Sequence, residues 1–152
     1  MKFFTLVLFF LTSFSMFAQL PSKVEKLEGE WQYKEGSGFE VWTLKDDILH
    51  GYAYRINKVG DTSMVEDILL KRVNKTLVYS LETYNHVGDS IVTVANDFVG
   101  LKRKMTFLNI DSNTPYSISY SYGFLSRKKL KIKIKYGIKE DPVVLKLIKV
   151  KE

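Results

Sequence analysis

Cysteine is absent from this chain altogether. That excludes disulfides, thiol nucleophiles, iron–sulfur clusters and thiolate-held metal. It also excludes a lipid-modified N-terminal cysteine. A domain without disulfides must be stable through its own apolar core, and a chain of this length can supply one. Histidine is scarce: only His50 and His86 occur. Each stands alone in the sequence, so spacing assembles no haem or zinc set, and both read as surface residues. No Gly-x-Ser-x-Gly nucleophile elbow and no glycine-rich phosphate loop is present. Neither a metal nor a cofactor is expected, and no catalytic residue is assigned.

A long apolar run is also missing. The nearest approach is the start of the chain, where Lys2 precedes the apolar stretch Phe3 to Leu11, and Thr12, Ser13 and Ser15 then make the chain more polar. A spanning helix needs about 20 apolar residues, and this stretch is shorter. A positive start, a short apolar region and a small residue at the cut describe a secretory leader. Residues 1–18 therefore read as a signal peptide cut after Ala18, although Met16 is bulky for its place before the bond. Residues 19–152 read as one exported domain, periplasmic or secreted, with no transmembrane span and as a monomer.

The formal charge is +6, and Lys102 to Lys104, Arg127 to Lys135 and Lys146 to Lys151 hold much of the excess. Basic surfaces attract nucleic acid or anionic lipid. In this chain the lysines alternate with apolar residues, which fits the wet face of strands, and no nucleic-acid partner is expected.

What is present is β-pattern. Leu130, Ile132, Ile134 and Tyr136 alternate with Lys131, Lys133 and Lys135, and Tyr116, Ile118, Tyr120 and Tyr122 alternate with Ser117, Ser119 and Ser121. A period of two places one set in the core and the other in water. Glu40, Trp42 and Leu44 share one face of their strand. Met64, Glu66, Ile68 and Leu70 do so in theirs, as do Leu145 and Leu147 near the C-terminus. Reversals are expected at Gly36-Ser37-Gly38, Lys45-Asp46-Asp47, Gly60-Asp61, Asn74-Lys75, Gly88-Asp89, Asp111 to Thr114, Ser126-Arg127 and Asp141-Pro142. Helical spacing occurs only at Ser22 to Leu27, where Ser22 and Glu25 have capping-box spacing and Val24 and Leu27 face one way. Turn signals about every 8 to 15 residues predict about nine or ten antiparallel strands, with Ile91 to Leu108 the hardest run to divide. Short connections make consecutive strands neighbours. An up-and-down order closes into a barrel, whereas a Greek-key sandwich needs a long crossover. The expected fold is all-β, an up-and-down antiparallel barrel with a short N-terminal helical turn.

Gly29-Glu30-Trp31, at the head of the first strand, resembles the Gly-x-Trp opening of lipocalins, in which the Trp plugs the closed end of the barrel. Leu27-x-Gly29-x-Trp31, Phe39-Glu40-x-Trp42-Thr43, Leu49-x-Gly51, Asp61-Thr62 with Glu66, and Leu77-x-Tyr79 are similar to a lipocalin-like family of small exported bacterial proteins of unassigned function, the domain-of-unknown-function class numbered 6265. The resemblance spans residues 27 to about 122. It weakens beyond Phe107-Leu108-Asn109-Ile110, where the family's proline is missing. Ser112-Asn113-Thr114-Pro115 stands where the family has His-Asp-Phe-Pro. Pro115, Ile118 and Tyr120 match; the His and Asp do not. The resemblance implies a barrel and leaves the chemistry open.

Glu40 and Glu66 are the most informative polar positions, because their strand faces are otherwise apolar and a buried carboxylate must find donors or take a proton. Each is either a polar anchor for a ligand or a partner for an internal tyrosine, tryptophan or arginine. Aromatic residues make up 14% of the chain. Tyr52 and Tyr54 share a face, as do Tyr120 and Tyr122, and a tyrosine offers a flat apolar body with one hydroxyl. These positions suggest a ligand set of Trp31, Glu40, Trp42, Tyr54, Glu66, Tyr79 and Tyr120, for a small apolar or amphipathic molecule in the barrel interior. Two other readings stand beside it. One is a filled barrel that serves as an interaction module at the cell envelope. The other is a weak hydrolase or isomerase using Glu40 or Glu66.

Overall fold

The computed structural model describes residues 20–151 apart from 75, 85–89, 96, 102 and 110–114, with the backbone alone at 90–101 and 151. The leader at residues 1–18, His86 and the turns expected at Gly88-Asp89 and Asp111 to Thr114 lie outside the described residues.

The chain forms a nearly closed all-antiparallel barrel. A single helical turn, α1 (Ser22–Glu25), precedes β1 (Gly29–Tyr33), β2 (Gly38–Lys45), β3 (Ile48–Ile56), β4 (Thr62–Val73), β5 (Thr76–Tyr84) and β6 (Ser90–Ala95). Then come β7 (Asp97–Leu101), β8 (Lys104–Leu108), β9 (Ser117–Tyr122), β10 (Lys129–Lys135) and β11 (Val143–Lys151). Sequential strands pair from β1 to β6 and again from β7 to β11, and β1 also pairs with β11. That ladder turns a meander into a ring. Its seam falls between β6 and β7, which no ladder joins among the described residues, and there β7 comes close to β5. β6 and β7 are separated by one position; taken as one run, they bring the count to ten strands.

Period two governs what points inward. Along β10, Leu130 and Ile132 are buried and Lys129, Lys131 and Lys133 are exposed. Leu49, Gly51 and Ala53 alternate inward along β3, and Met105 and Phe107 along β8. The β2–β3 hairpin turns through Asp46 and Asp47, both at positive φ (51° and 58°), as a two-residue turn matched to strand twist requires. At the β3–β4 turn, Asn57 Oδ1 accepts bonds from the backbone N–H groups of Val59 and Asp61, each at 2.9 Å.

Two expectations need correction. Met64 does not share the inner face with Glu66, Ile68 and Leu70. Ala53 pairs with Glu66 and Tyr54 with Met64, so Val65 is the extra residue of a bulge, and a bulge reverses the alternation beyond it. Met64 is accordingly exposed. The Ser22–Glu25 capping spacing is also unused. Pro21 takes the N-cap place without any side-chain cap, and its carbonyl accepts from Val24 N–H at 2.7 Å. The helical turn still presents Val24 and Leu27 inward, both fully buried.

That turn closes one end of the barrel. Trp31 lies across this end, its Nε1–H donating to the Leu27 carbonyl at 2.6 Å. The Lys149 ammonium sits 5.5 Å from the Trp31 ring centre, and Tyr122 donates its hydroxyl to the Lys23 carbonyl at 2.9 Å. Among the described residues no helix is long and apolar enough to cross a membrane.

Candidate binding cavity at the barrel mouth

A polar layer crosses the middle of the barrel. Glu40 and Trp42 lie two apart on the inner face of β2, and Trp42 Nε1–H donates to Glu40 Oε2 at 2.9 Å. Tyr33 reaches across from β1 and donates its hydroxyl to Glu40 Oε1, also at 2.9 Å. Two glycines make room for these rings. A Cβ at Gly51, directly opposite Trp42 in the β2–β3 ladder, would meet the indole at 2.6 Å. One at Gly38 would meet the Tyr54 carbonyl at 2.4 Å and the Tyr33 ring at 3.1 Å. Deeper in the core, the Tyr79 and Tyr120 hydroxyls lie 3.2 Å apart. Tyr120 meets Trp42 edge-on, and Tyr79 packs on Phe107.

Burial dominates the electrostatics. It pushes the Glu40 carboxyl up to about 7, against the pull of the Trp42 and Tyr33 hydrogen bonds and with a further push from the Glu66 charge. Burial likewise raises Glu66, opposed by the Arg55 guanidinium. Tyr33, Tyr79 and Tyr120 are raised by the same cause and stay neutral donors at any physiological pH. With both oxygens bonded and 2% exposure, the Glu40 carboxyl is enclosed by the fold.

A cavity of about 420 Å³ opens at the end away from Trp31, with Tyr33 and Glu66 among its polar lining, Ile134 of β10, Tyr136 just beyond it, and Val143 and Leu145 of β11. The bulge contributes directly, since Val65 also lines it beside Glu66. The arrangement is an apolar wall facing a carboxyl, a neutral phenol and, from the inner face of β3, the cationic Arg55. Such a site can grip an apolar body and orient one polar group.

No protein-family profile and no curated protein matches this chain. Its own geometry therefore carries the functional argument. Of the residues singled out from sequence, Glu66 lines the cavity. Glu40 lies under its floor. Trp42, Tyr79 and Tyr120 belong to the packed core, and Trp31 belongs to the closed end. Tyr54 is at the cavity rim by its position on β3, but its ring stacks on Phe39 at 4.8 Å. Phe39 is flanked by the inward Gly38 and Glu40, and Tyr54 follows the inward Ala53, so this stack is on the outer face. His50, between Leu49 and Gly51, is on the outer face as well.

Sequence reasoning did not assign Tyr33, Arg55, Val143 or Leu145 to the site. Tyr33 and Arg55 stand two residues beyond Trp31 and Ala53, so the alternation already used would have placed them inside. Val143 and Leu145 depend on how far up the barrel the packing reaches, and local pattern carries no record of that.

Proposed function

We propose that this protein is an exported barrel of the lipocalin-like kind that holds a small amphipathic molecule at its mouth. The apolar body lies against Ile134, Val143 and Leu145, and a hydrogen-bonding head sits over Tyr33 and Glu66. One observation carries the reading: at the end away from Trp31 a recess of about 420 Å³ joins the apolar Ile134, Val143 and Leu145 to the polar Tyr33 and Glu66, and binding pockets have volumes of about 300 Å³ or more. The Gly29-Glu30-Trp31 opening and the lipocalin-like spacing from Leu27 onward support the same assignment, and Lys2 to Ala18 supports export.

Titration with an uncharged hydrophobic fluorophore, together with native mass spectrometry of protein purified from the cell envelope or medium, tests the proposal. Saturable one-to-one uptake is expected, abolished when Leu145→Trp fills the mouth without lowering the unfolding midpoint. The mass is expected to begin at Gln19 and to carry a small adduct. A bare protein that takes up no fluorophore overturns the binding reading, and a chain retaining residues 1–18 overturns export.

A further inference from the structure

Phe124 and Leu125 stand next to each other in the β9–β10 turn, 80% and 94% exposed. Turns are ordinarily polar, and this one is also tightly built. Gly123 N–H donates to the Lys129 carbonyl at 2.8 Å, Lys129 N–H to the Ser126 carbonyl at 3.3 Å, and Lys128 N–H to Ser126 Oγ at 3.2 Å. A Cβ on Gly123 would come within 2.9 Å of the Ser126 carbonyl oxygen, so glycine is what lets the turn close. The Arg103 guanidinium lies 4.3 Å from the Phe124 ring centre, and Tyr122 N–H is tied to the Arg103 carbonyl at 3.0 Å. The two apolar side chains are therefore held outward on a braced loop.

The surroundings are cationic. The hollow on one side of Phe124 is lined by Lys26, Arg103 and Arg127, and the hollow on the other by Lys129, Lys131 and Lys146, with no carboxylate lining either among the described residues. Of these cations, Lys146 is engaged by Glu35 at 3.3 Å. An apolar tip ringed by positive charge is complementary to a surface with negative headgroups outside and hydrocarbon beneath.

We propose that the β9–β10 turn is a docking wedge for an anionic lipid surface, with Phe124 and Leu125 entering the acyl boundary and the surrounding cations meeting lipid phosphates. The wedge is at the closed end, beside α1, so a docked barrel keeps its mouth turned away from the membrane. The proposal does not depend on the mouth holding a ligand.

The test is co-sedimentation with 100 nm vesicles of phosphatidylglycerol mixed with phosphatidylcholine, against phosphatidylcholine alone. A parallel measurement follows the emission of Phe124→Trp. Binding is expected to the anionic vesicles only, weakening with salt, and the new tryptophan should shift to the blue. The R127E/K128E double variant should lose at least tenfold in partitioning, given about fivefold per cation near the surface, and the F124S/L125S double variant at least tenfold through the apolar area it no longer buries. All four positions are exposed, and unchanged circular dichroism will confirm folding. Equal binding to neutral vesicles, no loss in either double variant, or binding to a single-stranded oligonucleotide with the vesicles ignored would overturn the proposal.

Discussion

A carboxyl that ionises near neutrality while fully enclosed couples folding to pH, and at Glu40 the direction follows from its surroundings. In the unfolded chain it titrates at about 4.5, and in the fold burial holds it at about 7. Between those values the native state keeps a proton that the unfolded chain has released, so stability falls as pH rises from about 4.5 to about 7 and levels off above. The full change is about 3 kcal/mol by the usual conversion, and the raised Glu66 acts in the same direction. Glu40→Gln should remove most of the slope. The amide oxygen can accept from Trp42 Nε1–H while the amide nitrogen donates to the Tyr33 hydroxyl, which leaves the Tyr33 proton free to turn to the recess that Tyr33 lines. Urea midpoints between pH 4 and pH 8 are expected to be nearly flat for the variant and no lower than wild type at pH 8; a slope that survives the substitution assigns the pH dependence to other groups. Half of this site is legible from the sequence, because Glu40 and Trp42 lie two apart on one strand. The other half comes from Tyr33 on a neighbouring strand, and no local spacing announces a partner that only the ladder brings near.

At the scale of the element, turn chemistry and alternation are readable, and departures from regular pairing are not. Asp46-Asp47 reads as a reversal and is one; Asp suits the first place of such a turn, and glycine suits the second better. Both hold positive φ, a region that costs most side-chain-bearing residues about 1–2 kcal/mol, Asp less than most, and a glycine almost nothing. Asp47→Gly at the second place of the turn should stabilise the fold by about 0.5–1 kcal/mol after the added freedom of the unfolded chain is deducted. Asp47→Ala keeps the strain and should give no gain. Denaturant midpoints of the two variants decide the matter, and a loss of stability in the glycine variant points to a side-chain role for Asp47. The Val65 bulge has no comparable signal. Thr62 to Leu70 reads as unbroken alternation, and only the pairing of Ala53 with Glu66 and Tyr54 with Met64 reveals the extra residue. That unread residue moves Met64 out of the interior and puts Val65 beside the cavity. Tyr54 departs from its expected place for a different reason: an aromatic strand residue fits either face, and its inward neighbour Ala53 is too small to stand out in the pattern.

At the scale of the whole molecule, the ring is complete where β1 meets β11 and open where β6 meets β7. In the strand order β1 lies near the middle and the seam strands lie at the two ends. The cavity walls come from β1, β3, β4, β10 and β11 and the turn beyond β10, so the site is built on the continuous side of the barrel, away from the seam. Among the described residues β6 pairs only with β5, and β7 only with β8. Each leaves one row of backbone groups without a ladder, and strands held on one side open at lower free energy than those held on both. Native-state hydrogen exchange should find β6 and β7 opening well below the global unfolding free energy, with β2, β3 and β10 near it. Seam amides that exchange only through global unfolding would mean the ring is shut. Occupancy sharpens the test. A molecule seated at the mouth stabilises the folded state by mass action, by about 2.7 kcal/mol at a hundredfold excess over its dissociation constant. Opening the far side of the ring does not release it, so saturating fluorophore should slow exchange in β2, β3 and β10 while leaving β6 and β7 unchanged. If the seam strands slow equally, they take part in holding the bound molecule, and a site confined to the β1 side of the barrel is ruled out.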